Sequence, residues 1–437
     1  MIERVEEDGA YADLALRAAL GEGGLDARDR AFATELAYGT LRWRGRLDFL
    51  LRHVLDRPLE SLEPRVRRVL RLGAYQLVFC DRVPDAAAVS QSVRLARSTG
   101  IARASGLVNA ALRRLAREHA SIALPALTAD PIGHLVHALS VPKWIAERWI
   151  RAWGPEQAAA FAAASNAAPP RTLRANRLRG SRDALLEELR PRFPDAAPCR
   201  FAPDGLVLGR RGDPTREPAF VEGRMTVQDE ASQLVVELLD PRPDERVLDT
   251  CAAPGAKTTA VAERVGPGGR VVALDRHERR LGLVARDAAR LGLANVETRC
   301  ADATDAAALP DDRYDRILVD APCSGLGALR RNPDARWRVQ PESIDSLAAL
   351  QRAMLAAAVT RLRPCGTLVY STCTLSHEEN EDVVEWLLAR TPTLRRVARD
   401  ETPASLRALV GDDGAMRCWP HLHDTDGFFA VRLEQGR

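Results

Sequence analysis

From about residue 225 onward, short apolar runs alternate with longer stretches in which apolar residues recur at helical spacing. The runs fall at 246–249, 270–275, 296–300, 316–320 and 366–370, and the helical stretches at 257–263, 278–291, 344–362 and 378–388. Runs that are apolar on both faces, separated by helix-length segments, predict a parallel, doubly wound sheet covered on both sides. A last alternating run at 427–433 predicts an antiparallel edge strand.

Upstream the period changes. Helical spacing dominates to about residue 125, through 31–41, 47–51 and 66–78, with Pro84 opening a turn and Gly100 breaking the helix predicted at 86–97. Residues 126–165, with Pro131, Pro142, Pro155 and an alanine-rich end, predict a helical connector. A strand at 172–176, a helix at 181–189 and a Pro/Gly-rich stretch with short strands to about residue 224 predict a small α+β module over 166–235. The expected organisation is therefore multidomain: an all-α region over 1–125, the connector, the α+β module, and an α/β domain over 236–437.

The chain's 437 residues are too many for one ordinary core. No run of eighteen uncharged apolar residues is present, and the acidic start Met1–Asp8 lacks the order of a signal peptide, so a cytosolic protein off the membrane is expected. The eight cysteines stand at 80, 199, 251, 300, 323, 365, 373 and 418 with no C-x-x-C pair. No zinc ribbon is expected, and Cys80, Cys199 and Cys365 are expected to be small buried hydrophobes. The net charge of +3 says little, but the only lysines are Lys143 and Lys257, so nearly all positive charge is arginine. Genome composition produces such a bias, and arginine also suits phosphates and base faces. The clusters at 42–46 and 65–71 are expected to be solvated faces, with RNA phosphate contact as the alternative.

Ligands of open α/β sheets sit beyond the carboxyl ends of the strands. Here those ends carry Asp249, Asp275, Asp302 and Asp320, and the first leads into Thr250-Cys251-Ala252-Ala253-Pro254-Gly255-Ala256-Lys257-Thr258. Neither the G-x-G-x-x-G fingerprint nor the Walker sequence is there, so no pyrophosphate cradle is expected and a single-nucleoside cofactor becomes attractive. Asp275 is placed to accept ribose hydroxyls and Asp302 to meet an adenine amino group.

Asp320-Ala321-Pro322-Cys323-Ser324-Gly325 follows the fourth strand and Ser371-Thr372-Cys373-Thr374 the fifth, which brings two thiols over the cofactor end. This pairing suits cytosine chemistry. Carbon 5 of cytosine is a poor nucleophile until a thiolate adds at carbon 6. A carboxyl such as Asp320 can activate the ring at N3, and a base such as Cys323 can take the C5 proton afterwards.

The segments 251–257, 320–325 and 371–374 resemble the motifs of the RsmB (Fmu/Sun) family, bacterial methyltransferases that make 5-methylcytosine in small-subunit ribosomal RNA. The resemblance implies a C-terminal Rossmann-like class I methyltransferase domain that binds S-adenosylmethionine through Cys251, Ala252, Ala253, Pro254, Gly255, Ala256, Lys257, Asp275, Asp302 and Asp320. It implies Cys373 as nucleophile and Cys323 as the residue assisting release. It also extends to a NusB-like RNA-binding N-terminus, and to an RNA-recognition-like module whose likeness is carried by 166–176 and 228–232. Ala256 departs from the family's second glycine, which matters only if that position needs positive φ.

The segment 329–338 interleaves arginines with Trp337, a composition suited to single-stranded RNA, or to an exposed loop with one packed tryptophan. The target cytosine is expected to be unpaired or flipped out of its stack. His421 and His423 are expected to be loop residues, with no metal, and the chain is expected to be a monomer. Transfer RNA as substrate, a non-catalytic RNA-binding assembly factor and a cysteine hydrolase are the competing readings. The complete set of Asp320, Cys323 and Cys373 disfavours the assembly factor; the hydrolase has no histidine near Cys373 except His377 and leaves the strand-end aspartates unexplained.

Overall fold

The computed structural model describes residues 1–22, 24–209 and 212–436. The chain divides into two compact units: Met1–Ala167 with Leu329–Val339, and Ala168–Ala328 with Gln340–Arg437.

The first unit is helical. Helices Ala27–Arg42, Arg44–Val54, Pro64–Phe79, Asp85–Ser98 and Ser105–Glu118 converge on Leu47, Leu51, Leu70, Leu112 and Leu115, all fully buried. Each such leucine contributes roughly 1.5–3 kcal/mol on leaving water. The Asp26 carboxylate caps the first of these helices by accepting from Asp29 N at 2.8 Å, and Pro64 starts the third with its backbone angle already set.

The basic runs are solvated only in part: Arg65 is exposed, whereas others turn inward. Arg68 and Arg71 are 6% exposed and pair with Glu3, Glu6 and Glu7 of the helix Ile2–Glu7 and with Asp48. Arg42 Nη2 donates to Arg330 O at 2.9 Å, and the Arg46 guanidinium lies 5.4 Å from the Phe79 ring centre. Acidic partners more than forty residues away on the page of the sequence, such as Glu3 and Glu7 for Arg68, turned these arginines inward.

The segment Leu329–Val339 is likewise structural. Arg336 is 1% exposed and donates to Asn166 Oδ1 at 2.8 Å and Ser140 O at 3.2 Å, while Trp337 Nε1 donates to Leu41 O at 2.6 Å. Arg338 sits 4.2 Å from the ring centre of Tyr11. Of the two sequence readings, packing is the one seen for the tryptophan, and Arg336 is buried rather than offered to a nucleic acid.

The second unit holds two sheets. Strands β1 (Thr172–Ala175), β2 (Ala197–Pro198), β3 (Gly205–Val207) and β4 (Met225–Val227) form a small antiparallel sheet in the order β2-β3-β1-β4. The helix Arg182–Leu189 covers it through Leu185, Leu186 and Leu189. Arg174 of β1 is buried and reaches the helix Ala256–Val265, donating to Ala256 O at 2.7 Å and Glu263 at 2.7 Å.

The large sheet is built from β5 (Arg246–Asp249), β6 (Arg270–Asp275), β7 (Val296–Cys300), β8 (Tyr314–Asp320), β9 (Leu362–Thr372), β10 (Leu394–Arg396), β11 (Ala415–Cys418) and β12 (Phe428–Gln435). Its order is β10-β12-β9-β8-β5-β6-β7, with β11 also on β12. The strands β9-β8-β5-β6-β7 are parallel, as the apolar runs predicted, and the Rossmann-like class holds. The closing strand differs from expectation: β12 is antiparallel but interior, bonded to both β9 and β10. Its Phe429, Ala430, Val431 and Leu433 are accordingly buried. Among the thiols, Cys199 is buried as expected, but Cys80 is half-buried and Cys365 is exposed in a left-handed turn (φ 60°). No helix among the described residues is long and apolar enough to cross a membrane.

Candidate active site

Strand order reverses between β5 and β8, and a crevice opens there beyond their carboxyl ends. Asp249 ends β5 and is 1% exposed; its Oδ2 accepts from Thr258 Oγ1 at 2.7 Å, tying the two ends of the loop 250–258 together. Burial, reinforced by the nearby Asp320 charge, raises the Asp249 carboxyl to about 6. Inside the loop Gly255 has φ +116°, and a Cβ there would stand 3.0 Å from Val284 Cα, so the position demands glycine. Ala256 is the first residue of the helix Ala256–Val265. The departure at that position therefore involves no positive φ and carries no conformational cost.

Lys257, the second residue of this helix, places Nζ 2.7 Å from Asp320 Oδ2 and 4.9 Å from the Phe428 ring centre. Asp320 Oδ1 accepts from Ser371 Oγ at 2.8 Å. The β8–β9 register sets Asp320 directly opposite Ser371, so the two chains leave the sheet side by side. They stay together beyond it: Ala321 N donates to Ser371 O, and Gly327 N to Cys373 O, each at 2.9 Å. The consequence is the thiol pair: Cys323 Sγ lies 3.3 Å from Cys373 Sγ. Its hydrogen bond to Cys373, together with burial, pushes the Cys323 thiol well up. Gly327 is needed for this packing, because a Cβ would fall 2.1 Å from Gly427 O.

A cavity of about 230 Å³ adjoins the lysine–aspartate pair. It gathers Asp249, Cys251, Ala252, Ala253, Pro254, Ala256, Lys257 and Asp320 of the residues singled out from sequence, and is also lined by Asp229 and Ser232. Asp275 and Asp302 lie outside its lining, at the end of β6 and just beyond β7. Asp275 accepts from His277 N at 2.9 Å and lies 3.5 Å from Arg280, which also donates to Ala253 O at 3.0 Å. Asp302 is exposed; hydrogen bonds from Thr304 N and Oγ1 hold its carboxyl below the ordinary range. Burial pushes the Cys251 thiol upward.

Sequence reasoning missed the support behind the cysteines. Glu379 is fully buried and its Oε1 accepts from Ser324 N at 2.8 Å and Gln351 Nε2 at 3.2 Å. Burial raises its carboxyl. The next residue, Asn380, accepts from Thr372 Oγ1 at 2.6 Å and donates to Thr374 O at 3.0 Å. One dipeptide therefore braces both cysteine loops. The only sequence signal was two polar residues at the start of a predicted helix, which read as an ordinary N-terminus. His421 and His423 belong to a loop helix, where His423 Nδ1 accepts from Trp419 N at 2.9 Å.

Comparison with known proteins fits this layout. Residues 236–434 match the family described as 16S rRNA methyltransferase RsmB/F, residues 1–117 the NusB family, and residues 141–214 the RsmF/B-like ferredoxin-like domain. A probable ribosomal RNA small subunit methyltransferase B from Synechocystis is 39% identical over 98% of this chain and 96% of its own length. The chain belongs to the RsmB/F methyltransferase family. Ribosomal RNA small subunit methyltransferase B of Pseudomonas putida is also 39% identical, over 94% of this chain and 91% of its own. Among solved structures, that of PH0851 aligns with TM-score 0.79 and 26% identity over 96% of this chain and 93% of its own. The all-α N-terminal region is thus NusB-like and the small antiparallel module ferredoxin-like.

Proposed function

We propose that this protein methylates carbon 5 of a cytosine in small-subunit ribosomal RNA, with S-adenosylmethionine as donor, through a covalent bond between Cys373 Sγ and carbon 6. The observation that carries the reading is the thiol pair at 3.3 Å on the ends of adjacent parallel strands, beside the Lys257–Asp320 pair. Family membership and the names of the relatives support the substrate class.

The residues present suit the cofactor. The small side chains of Ala252, Ala253 and Ala256 line the cavity beside Lys257 and leave room for a ligand against the backbone; Asp275 and Asp302, beyond the neighbouring strand ends, are assigned to the ribose hydroxyls and an adenine amino group by the family resemblance. Bound there, S-adenosylmethionine supplies an electrophilic methyl group.

The protein's own groups do the rest. Cys373 adds to carbon 6, which moves electron density to carbon 5. Asp320 is held as the partner of an ammonium, so it serves as acceptor and orienter while Lys257 supplies the hydrogen bond that draws electrons toward the ring nitrogen. This refines the expectation that a carboxyl such as Asp320 activates N3 by protonation or hydrogen bonding. After transfer, Cys323 as a thiolate takes the C5 proton while the C6–Sγ bond breaks, so Cys373 leaves and the ring is restored. A cytosolic monomer with its RNA-binding segments at 1–125 and 166–235, joined by 126–165 to the catalytic domain 236–437, completes the reading.

The test is transfer of labelled methyl from S-adenosylmethionine to small-subunit RNA, assembled subunits and transfer RNA, followed by nucleoside analysis. 5-Methylcytosine in small-subunit RNA is the expected product. Labelling of transfer RNA alone, or of another base, would overturn the assignment.

A further inference from the structure

The catalytic unit carries a second, larger cavity of about 480 Å³, within the roughly 300–1,000 Å³ range of small-ligand sites. Arg200, Glu230, Pro420, His421, Leu422 and His423 are among its lining residues. The two cavities are linked along the chain: Asp229 lines the smaller one and the next residue, Glu230, the larger. The other wall runs from 420 to 424 and continues to Asp426, whose N donates to Asp229 Oδ1 at 3.3 Å. It then reaches Gly427, which donates to Gly327 O at 2.9 Å behind the cysteine loop. The segment that lines this cavity at 420–424 thus runs on into backbone packed beside the Cys373 loop.

The lining has the composition of a nucleotide site. Arg200 is exposed, with its guanidinium 4.8 Å from the Phe201 ring centre and its Nη1 donating to Leu422 O at 3.4 Å. A planar cation fixed in this way suits a phosphate. Leu422 is an apolar side chain left 56% exposed beside two imidazoles. Because His423 Nδ1 accepts from Trp419 N, its ring proton lies on Nε2 as a hydrogen-bond donor. Burial lowers the pKa of both histidines, which favours neutral rings that stack. Two carboxylates face the site. Glu230 spends Oε1 on the N–H groups of Phe201 and Ala202, and Asp424 stands exposed at the rim, where it suits a base amino group better than a phosphate.

We infer that this cavity receives a nucleotide of the RNA next to the target cytosine, its base against Leu422 and the histidine rings and its phosphate on Arg200. The inference rests on the RNA substrate proposed above. The enzyme's sequence context is then set partly at a site distinct from the cofactor cavity and from the Cys373 loop.

The test uses the full-length protein and a short single-stranded fragment centred on the nucleotide it methylates in unmodified small-subunit RNA. Arg200→Ala and Leu422→Ser are each expected to raise the KM for this fragment about tenfold, with kcat and S-adenosylmethionine affinity unchanged. An abasic neighbour of the target is expected to raise the wild-type KM to a similar degree, without weakening Leu422→Ser further. Arg200→Lys, which keeps the charge, is expected to recover part of the loss. If the wild type methylates no RNA, the proposed function falls and this site with it. If the wild type is active but both variants keep its KM, or the abasic effect adds fully to that of Leu422→Ser, the subsite alone is refuted.

Discussion

Replacing Asp249 by asparagine removes a charge from a buried carboxyl of the site while keeping its shape. The carboxyl ends β5 with 1% exposure, and its pKa lies at about 6 in the folded chain. The unfolded value is about 3.9. A carboxyl with the higher pKa in the folded state holds its proton more tightly there. Folding therefore gains from this group in acid and loses that gain as pH rises from about 4 through about 6. The difference of about two units corresponds to roughly 3 kcal/mol, lost in full above that window. Asparagine cannot ionise, and its carbonyl can still accept from Thr258 Oγ1. Relative to wild type, Asp249→Asn is therefore expected to gain about 3 kcal/mol of stability between pH 4 and pH 7.5, since other carboxyls titrate in both proteins and cancel. Denaturant unfolding of both proteins across that range measures it. A stability difference constant to within about 0.5 kcal/mol over the whole range would refute the reasoning, because Asp249 would then ionise alike in both states.

Glu379→Ala leaves Ser324 N and the Gln351 amide without their acceptor, at about 1–3 kcal/mol each. It is expected to lower thermal stability and to let protein–RNA adduct build up in single-turnover assays; Glu379→Gln, which keeps an acceptor, is expected to lie close to wild type. Arg336→Met strips donors from Asn166, Ser140 and Ser165 and is expected to destabilise the helical unit by about 3 kcal/mol or more, read by calorimetry; an unchanged transition would show that the segment does not hold the unit. Lys257→Met is expected to slow methyl transfer by about a hundredfold or more with RNA binding retained, measured by filter binding beside rates. Equal rates would remove Lys257 from the chemistry.

The strand ends of the parallel sheet were legible because strands buried on both faces must be apolar along their length, and because the ligand side of such a sheet follows from chain direction. That placed Asp249, Asp275 and Asp320 at strand ends and Cys323 near Cys373. What stayed hidden were partnerships across sequence distance. Arg68 and Arg71 look like a solvated basic face until Glu3, Glu6, Glu7 and Asp48 arrive beside them. Arg336 has the same composition as an RNA-binding arginine and is instead buried against backbone carbonyls. The interior place of β12 was missed because alternation along a strand does not say how many neighbours it has. Glu379 and Asn380 carry no pattern of their own, since their role lies in the two loops they touch.

The central claim, that Cys373 is the nucleophile and Cys323 the releasing residue, is tested most directly by mapping the covalent adduct. Incubated with S-adenosylmethionine and its RNA, Cys323→Ala is expected to run on a denaturing gel as a protein–RNA conjugate, with the nucleotide attached at Cys373 by mass spectrometry. The conjugate is expected to vanish, along with methyl transfer, when Cys373→Ala is added. Attachment at any other residue, or full transfer by Cys373→Ala, would contradict the account.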